Sequence, residues 1–453
     1  MFESINPATG KSEARYEAMS SEQVTAILRQ TNAAAKNWVQ VPVAERAEKL
    51  LNVATILETE KEAYALLMTR EMGKPIKEAR AEVEKCAWVC RYYAEQGTGF
   101  LEDERMDTDD GEAYLSYHPL GVVLAVMPWN FPFWQVFRFA APALTAGNGG
   151  LLKHASNVTG CALAIEQIFK EAGYPEDLFR TLLIDSEQVA DVIARPELAA
   201  VTLTGSERAG AAVAEAAGKA IKKSVLELGG SDPYIVLADA DLDLAAEKCA
   251  QSRLINGGQS CIAAKRFLVE SSIYETFTDK LMAQMKGKDL GDPESEDTDI
   301  GPQAREDLRE SLHRQVQASL AQGATLRMGG VIPEGLGYYY PATVLTGVKP
   351  GMPAFDEELF GPVAAVIEVA DAEEAIRLAN QSDYGLGSAV FTKDIAKAKS
   401  IARRIESGCC AINDLVKSDP RLPFGGIKRS GYGRELSKLG IHEFVNIQTV
   451  VVG

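Results

Sequence analysis

A chain of 453 residues exceeds what one hydrophobic core holds, so two or more domains are expected. Its 46% hydrophobic and 25% charged content is ordinary for a globular protein in water, and no apolar run reaches the length of a membrane span. The net charge of −17 repels phosphate backbones, which argues against nucleic acid as a partner and obliges an anionic small substrate to find a local cationic pocket.

Residues 1–7 lack the basic and apolar regions of a signal peptide. The seven cysteines (Cys86, Cys90, Cys161, Cys249, Cys261, Cys409, Cys410) match no disulfide framework or zinc pattern. His118, His154, His313 and His442 are scattered. A reducing cytoplasm and no structural metal are expected.

Residues 21–97 read as helices. Ser21 opens the first, and apolar positions recur at helical spacing through Leu28, Ala35 and Trp38. Further helical patterns cover 43–72 and 75–96. Residues 102–112 are acidic and loop-like, and 114–118 alternate as an exposed strand. From 121 short apolar strands alternate with helices: strands at 121–127, 150–153, 179–184 and 199–204, helices near 132–146, 158–172, 186–194 and 207–220. This predicts a parallel sheet covered on both faces, with ligands at the carboxyl ends of its strands. Strands 225–228 and 234–237 flank the turn Gly229-Gly230-Ser231-Asp232. A second alternating block follows: helix 241–255, strand 266–269, helix 272–286, strand 363–367, helix 371–381, strand 388–391, helix 393–405 and strand 410–412. The fold class is therefore α/β with two parallel-sheet domains that meet near residue 229. Residues 443–452 form a valine-rich terminal strand, whose free edge invites a second subunit.

Several turns carry candidate chemistry. Gly257-Gly258-Gln259-Ser260-Cys261 holds a cysteine among small neighbours, which suits a nucleophile and equally suits a small buried residue. Strand 199–204 runs into Gly205-Ser206, a turn whose backbone N–H groups suit a phosphate, although the G-x-G-x-x-G spacing is missing. Pro128-Trp129-Asn130-Phe131-Pro132 fixes an amide at a strand's end, as an oxyanion donor or simply as a rigid turn. Lys153 ends another strand and reads as a ribose or phosphate contact or as a solvated lysine. Glu227, in Glu227-Leu228-Gly229-Gly230, is a candidate general base or a surface charge. Glu357-Glu358-Leu359-Phe360-Gly361-Pro362 and Pro423-Phe424-Gly425-Gly426-Ile427-Lys428 are glycine-aromatic turns.

With Gly210, Ser430-Gly431 and Gly433-Arg434-Glu435, these segments occur in one order along the chain. In that order the sequence resembles the NAD(P)-dependent aldehyde dehydrogenase superfamily over nearly its whole length. The resemblance implies a Rossmann-like cofactor-binding domain (1–112 and 121–228), a catalytic domain (229–420) and a small β oligomerisation element (113–120 and 436–453). It implies Cys261 as nucleophile, Asn130 with the Cys261 N–H as oxyanion site, and Glu227 as general base. Trp129, Lys153, Gly205, Ser206, Leu228, Glu358 and Phe360 match cofactor contacts, with no metal.

Many NAD-preferring relatives carry glutamate three residues after the lysine. Here it is Ser156, which can donate to a 2′-phosphate that a carboxylate would repel, so NADP is expected over NAD, which stays possible. Arg138 and Ser418 look like the arginine and serine with which the family's succinate-semialdehyde dehydrogenases grip the substrate carboxylate. Two departures stand out. Ile255 replaces a further arginine of some relatives, while the direction of nearby Arg253 is open, and Ala263 replaces a second cysteine able to pair with the nucleophile. The implied reaction is oxidation of succinate semialdehyde to succinate through a cysteine thiohemiacetal and thioester in a homodimer or homotetramer. Alternatives are a broader semialdehyde or aliphatic aldehyde dehydrogenase, a cysteine esterase, or a fold kept for binding.

Overall fold

The computed structural model describes residues 1–109 and 111–453. Its centre is the strand Val122–Met127, which pairs in parallel with Gly149–His154 on one side and Leu198–Thr204 on the other. The sheet continues through Phe179–Thr181 at one edge and Lys223–Glu227 at the other. These strands are apolar on both faces because helices cover both. Every residue of the helix Trp134–Ala146 is buried. The chain returns to this sheet at its far end, where Gly431–Tyr432 pairs antiparallel with Lys223–Glu227 and sets Gly431 opposite Glu227.

A seven-stranded sheet forms the second unit, in the order Thr325–Met328, Thr343–Thr346, Val363–Val369, Arg266–Glu270, Pro233–Val236, Gly387–Phe391, Cys409–Ile412. All its pairs are parallel except the first. Two parallel-sheet α/β units are what the β-α alternation predicts. A third, antiparallel sheet joins Val445–Val452, Glu112–Pro119 and Glu104–Met106. The small sheet thus draws on residues before 113, and the loop-like reading of 102–112 missed its edge strand. Glu104–Met106 is exposed throughout, so it shows no alternation to read. Asp110, in that same stretch, lies outside the described residues.

Other differences have similar causes. The hairpin Phe2–Asn6 with Lys11–Tyr16 went unread because its second strand is largely exposed. Between 287 and 362 the helix Glu306–Ala321 buries only Leu312, Val316 and Ser319, too few for a clear apolar stripe. The helical pattern 43–72 is two helices that meet at Glu60, where the backbone turns to φ −98°, ψ 19°.

One buried contact orients the wall of the site. The helix Trp134–Ala146 has no side-chain cap of its own. Glu82, on the helix Ile76–Phe100, supplies one: its Oε1 accepts from the N–H groups of Phe133 (2.9 Å) and Trp134 (3.0 Å). Glu82 is itself paired with buried Lys74, whose ammonium lies 3.9 Å from the centre of the Phe131 ring. The segment just after Asn130 is thereby tied to the helix Ile76–Phe100.

Candidate active site

The turn that presents Cys261 follows the helix Leu242–Leu254. Asn256 (φ 54°), Gly257 (φ 61°) and Gly258 (φ 76°) are three successive left-handed residues. Gly258 has a second reason to lack a side chain: a Cβ there would lie 2.3 Å from the carbonyl carbon of Gly361. Two buried cations hold the turn. Arg253 donates to the Gly258 carbonyl at 2.6 Å. Lys265 donates to the carbonyls of Cys261 (2.7 Å), Ala263 (3.0 Å) and Ser260 (3.1 Å). Arg253 is therefore committed to the loop backbone.

Asn130 is bolted to the same turn. Its Nδ2 donates to the Gln259 carbonyl (3.0 Å), and its own carbonyl accepts from Asn256 Nδ2 (2.7 Å). Gln135 Nε2 donates to Asn130 Oδ1 at 3.1 Å, which fixes the direction of the amide. One Asn130 N–H remains for another acceptor.

The electrostatics favour neutral resting groups. Cys261 is half-buried, and desolvation pushes its thiol up to about 12, opposed by Lys265 and Arg138. Glu227 is buried, and both its oxygens lack hydrogen-bond partners among the described residues. Burial first and the neighbouring Glu435 second hold its carboxyl well above the ordinary range, against Arg138 and Arg434. Gly425 (φ 154°) makes room for it: a Cβ there would sit 2.6 Å from Glu227 Oε1.

A cavity of about 400 Å³ opens beside Cys261. Phe131, Trp134 and Phe424 give it apolar walls, and Arg138 and Ser418 line it as well. Arg138 is not a free guanidinium. It forms a buried ion pair with Glu435, donates to Thr204 Oγ1 (3.3 Å) and lies 4.9 Å from the centre of the Phe424 ring. Ser418 Oγ accepts from Lys85 Nζ at 2.7 Å.

The proposed cofactor contacts gather at the carboxyl ends of the first sheet. Ser206 caps the helix Glu207–Lys219, while Gly205 N–H donates to the Glu227 carbonyl (3.0 Å). Leu228 packs under that helix, so closely that a Cβ on Gly210 would come within 2.6 Å of it. Trp129 and Phe360 meet edge to face with centroids 5.7 Å apart. Glu358 lies over Gly229-Gly230. Its Oε1 accepts from Gly230 N–H (2.9 Å) and stands 3.7 Å from Lys265 Nζ, and a Cβ on Gly229 would fall 2.6 Å from its Oε2.

These residues fit a dinucleotide. The Lys153 side chain is half-buried and makes no hydrogen bond or ion pair among the described residues, and desolvation lowers its pKa, opposed by Asp185. A bound phosphate or ribose oxygen would satisfy it. Ser156 beside it is exposed and places no carboxylate there.

Sequence reasoning missed Lys265, the Glu82–Lys74 pair and Lys85. A weak signal existed for two of them: Glu82 and Lys85 are three apart on a helical face that includes Val89 and Cys86, so both point toward the interior.

The chain matches the aldehyde dehydrogenase family over residues 1–450. It is 51% identical over 446 residues to a protein of Synechocystis named probable succinate-semialdehyde dehydrogenase, NADP(+), which covers 98% of each chain. It is 49% identical over 447 residues to the succinate semialdehyde dehydrogenase, NAD(P)+, of Escherichia coli, with 99% of this chain and 97% of that one covered. Among solved structures, the succinic semialdehyde dehydrogenase of Streptococcus pyogenes in complex with NADP+ superposes with a TM-score of 0.98 at 39% identity, covering all of both chains.

Proposed function

The chain belongs to the aldehyde dehydrogenase family, and we propose that it oxidises succinate semialdehyde to succinate, with NADP preferred over NAD. The observation that carries this reading is the cavity beside Cys261, apolar along its walls yet furnished with Arg138 and Ser418 for a carboxylate. A Lys153 ammonium with no hydrogen bond or ion pair among the described residues and the absence of an acid at Ser156 support NADP.

In this reading the Cys261 thiol gives its proton to solvent, the Sγ thiolate bonds to the aldehyde carbon, and the oxyanion takes hydrogen bonds from Asn130 Nδ2 and the Cys261 N–H. When bound, the nicotinamide supplies the acceptor for the hydride that leaves this carbon. The carbon then forms a thioester with Cys261. Glu227 takes a proton from water as the water oxygen attacks, the C–S bond breaks, and succinate and the thiolate are released. Trp129, Phe360, Glu358, Gly205, Ser206 and Leu228 shape the cofactor groove, and Lys153 and Ser156 hold its adenosine end.

The domain division proposed is cofactor binding by 1–112 and 121–228, with Glu104–Met106 and Glu112 passing instead to the small sheet, catalysis by 229–420, and association through 113–120 and 436–453. The strand Val445–Val452 has one edge unpaired and exposes Ile447, Val451 and Val452, so a homodimer or homotetramer is expected. Light scattering should return at least twice 48.9 kDa, and a mass of one chain would overturn the assignment. Seven free cysteines suit a reducing cytoplasm.

The test is a panel of aldehydes with and without a terminal carboxylate, each with NADP and NAD. Succinate semialdehyde should exceed butanal in kcat/KM on the order of 10²-fold, with NADP the better acceptor. Equal efficiency for the two aldehydes refutes the substrate, a clear NAD preference refutes the cofactor, and ester hydrolysis without cofactor reduction would identify an esterase.

A further inference from the structure

The cavity beside Cys261 has four cations in its wall: Lys85, Arg138, Lys288 and Lys417. Three already have a carboxylate. Arg138 pairs with buried Glu435, Lys288 Nζ lies 3.8 Å from Asp299, and Lys417 Nζ lies 3.2 Å from Asp414. Lys85 makes no ion pair among the described residues. Its ammonium donates to Ser418 Oγ at 2.7 Å and stands 4.4 Å from the centre of the Trp134 ring. Among the described residues only one of its three N–H donors has a protein acceptor. Lys85 is thus a cation without a contacting carboxylate among the described residues: Glu82 and Asp419 act on it only at a distance and already pair with Lys74 and Arg421, so a small anionic ligand would complete the arrangement.

We propose that Lys85 is a specificity-determining residue that receives the remote carboxylate of the substrate, with Ser418 as its neighbouring donor and Arg138 as a positively charged backing already balanced by Glu435. The inference rests on the semialdehyde reading above and adds to it which group carries the uncompensated charge. The protein environment agrees. Desolvation first and Arg138 second bring the Lys85 pKa down to about 8, and a carboxylate at this position would oppose both. The side chain is held from two directions. Glu82, one turn earlier on the same helix, caps the helix that carries Trp134, and Ser418 meets Lys85 from the opposite loop. Little reorganisation is then needed when the substrate enters.

The experiment compares kcat/KM for succinate semialdehyde and for butanal in the wild type and in Lys85→Gln. Glutamine keeps an N–H donor for Ser418 and removes the charge. The succinate semialdehyde to butanal ratio should fall about 10- to 100-fold, as for loss of a hydrogen bond between charged groups. The Ki of succinate, as inhibitor of butanal oxidation, should rise by a similar factor. A merely structural Lys85 would depress both aldehydes together and leave the ratio at its wild-type value, which overturns the proposal. Lys85→Met serves as the second variant, with the same ratio as readout, should glutamine fail to fold. The wild-type ratio separates the two levels: no preference for the carboxylated aldehyde refutes the semialdehyde reading itself, whereas a wild-type preference that survives in Lys85→Gln refutes only the role of Lys85.

Discussion

Replacing Cys261 by alanine is expected to abolish aldehyde oxidation, lowering kcat on the order of 10⁴-fold or more, as loss of a covalent nucleophile does elsewhere. The loss should be confined to chemistry. The turn is held by main-chain contacts that do not involve the sulfur: Arg253 on the Gly258 carbonyl, Lys265 on three carbonyls, and Asn256 on the Asn130 carbonyl. The side chain is only half-buried, so its truncation leaves no sealed void. The residues proposed as cofactor contacts, Trp129, Lys153, Ser206 and Glu358, do not line the cavity beside Cys261. Titration of NADP into the variant, read by fluorescence, should therefore give a Kd within about threefold of wild type, a change below 1 kcal/mol. Turnover within an order of magnitude of wild type would remove Cys261 from the mechanism. Loss of NADP binding together with turnover would instead make its role structural.

What the sequence disclosed follows from where the information lies. The β-α alternation from 121 onward was legible because strands buried on both faces are near-continuous apolar runs, as in Val122–Met127. Residues 287–362 were not, since the helix Glu306–Ala321 and the strand Thr325–Met328 are wetted on much of their surface. At the site, Cys261, Glu227 and Glu358 stood out because nearby glycines have a spatial purpose, whereas Asn130 stood out by its flanking Pro128 and Pro132. Gly258 admits Gly361, Gly229 admits Glu358, and Gly425 admits Glu227. The groups that hold those turns carry no such local mark. The direction of Arg253 is open in the sequence, and nothing local there singles out Lys265 or the Lys74–Glu82 pair. They are buried only because segments far apart in the chain close around them. Arg138 is the intermediate case. The resemblance marked it as a substrate contact and it does line the cavity, but the Glu435 that balances it comes from nearly 300 residues later and could not be paired with it by spacing.

Glu227→Gln is expected to separate the two halves of the reaction. At rest the wild-type carboxyl is held neutral by burial and by Glu435, so glutamine resembles its resting state in shape and charge and the fold should persist. Attack by Cys261 and hydride loss do not require the Glu227 carboxylate, and a burst of close to one reduced cofactor per active site should survive. Hydrolysis of the thioester does require it as proton acceptor. Steady-state turnover should then drop about 10²- to 10⁴-fold, the usual contribution of a general base, with the acyl group left on Cys261 and visible by mass spectrometry. The pH dependence has a definite sign. A carboxyl whose pKa is raised is mostly protonated above 4.5, where a free carboxyl is ionised, and its base form grows as pH rises toward its own pKa. Deacylation in the wild type should accelerate as pH rises above 4.5, by up to about tenfold per unit while Glu227 stays mostly protonated. The Cys261 thiol, pushed up to about 12, adds a rise of the same sign to acylation. In Glu227→Gln the acylation rise should remain and the general-base rise of deacylation should vanish. Single-turnover and steady-state rates measured at a series of pH values resolve the two. Unaltered steady-state turnover in Glu227→Gln, or a burst lost in parallel with it, would assign the base to another group.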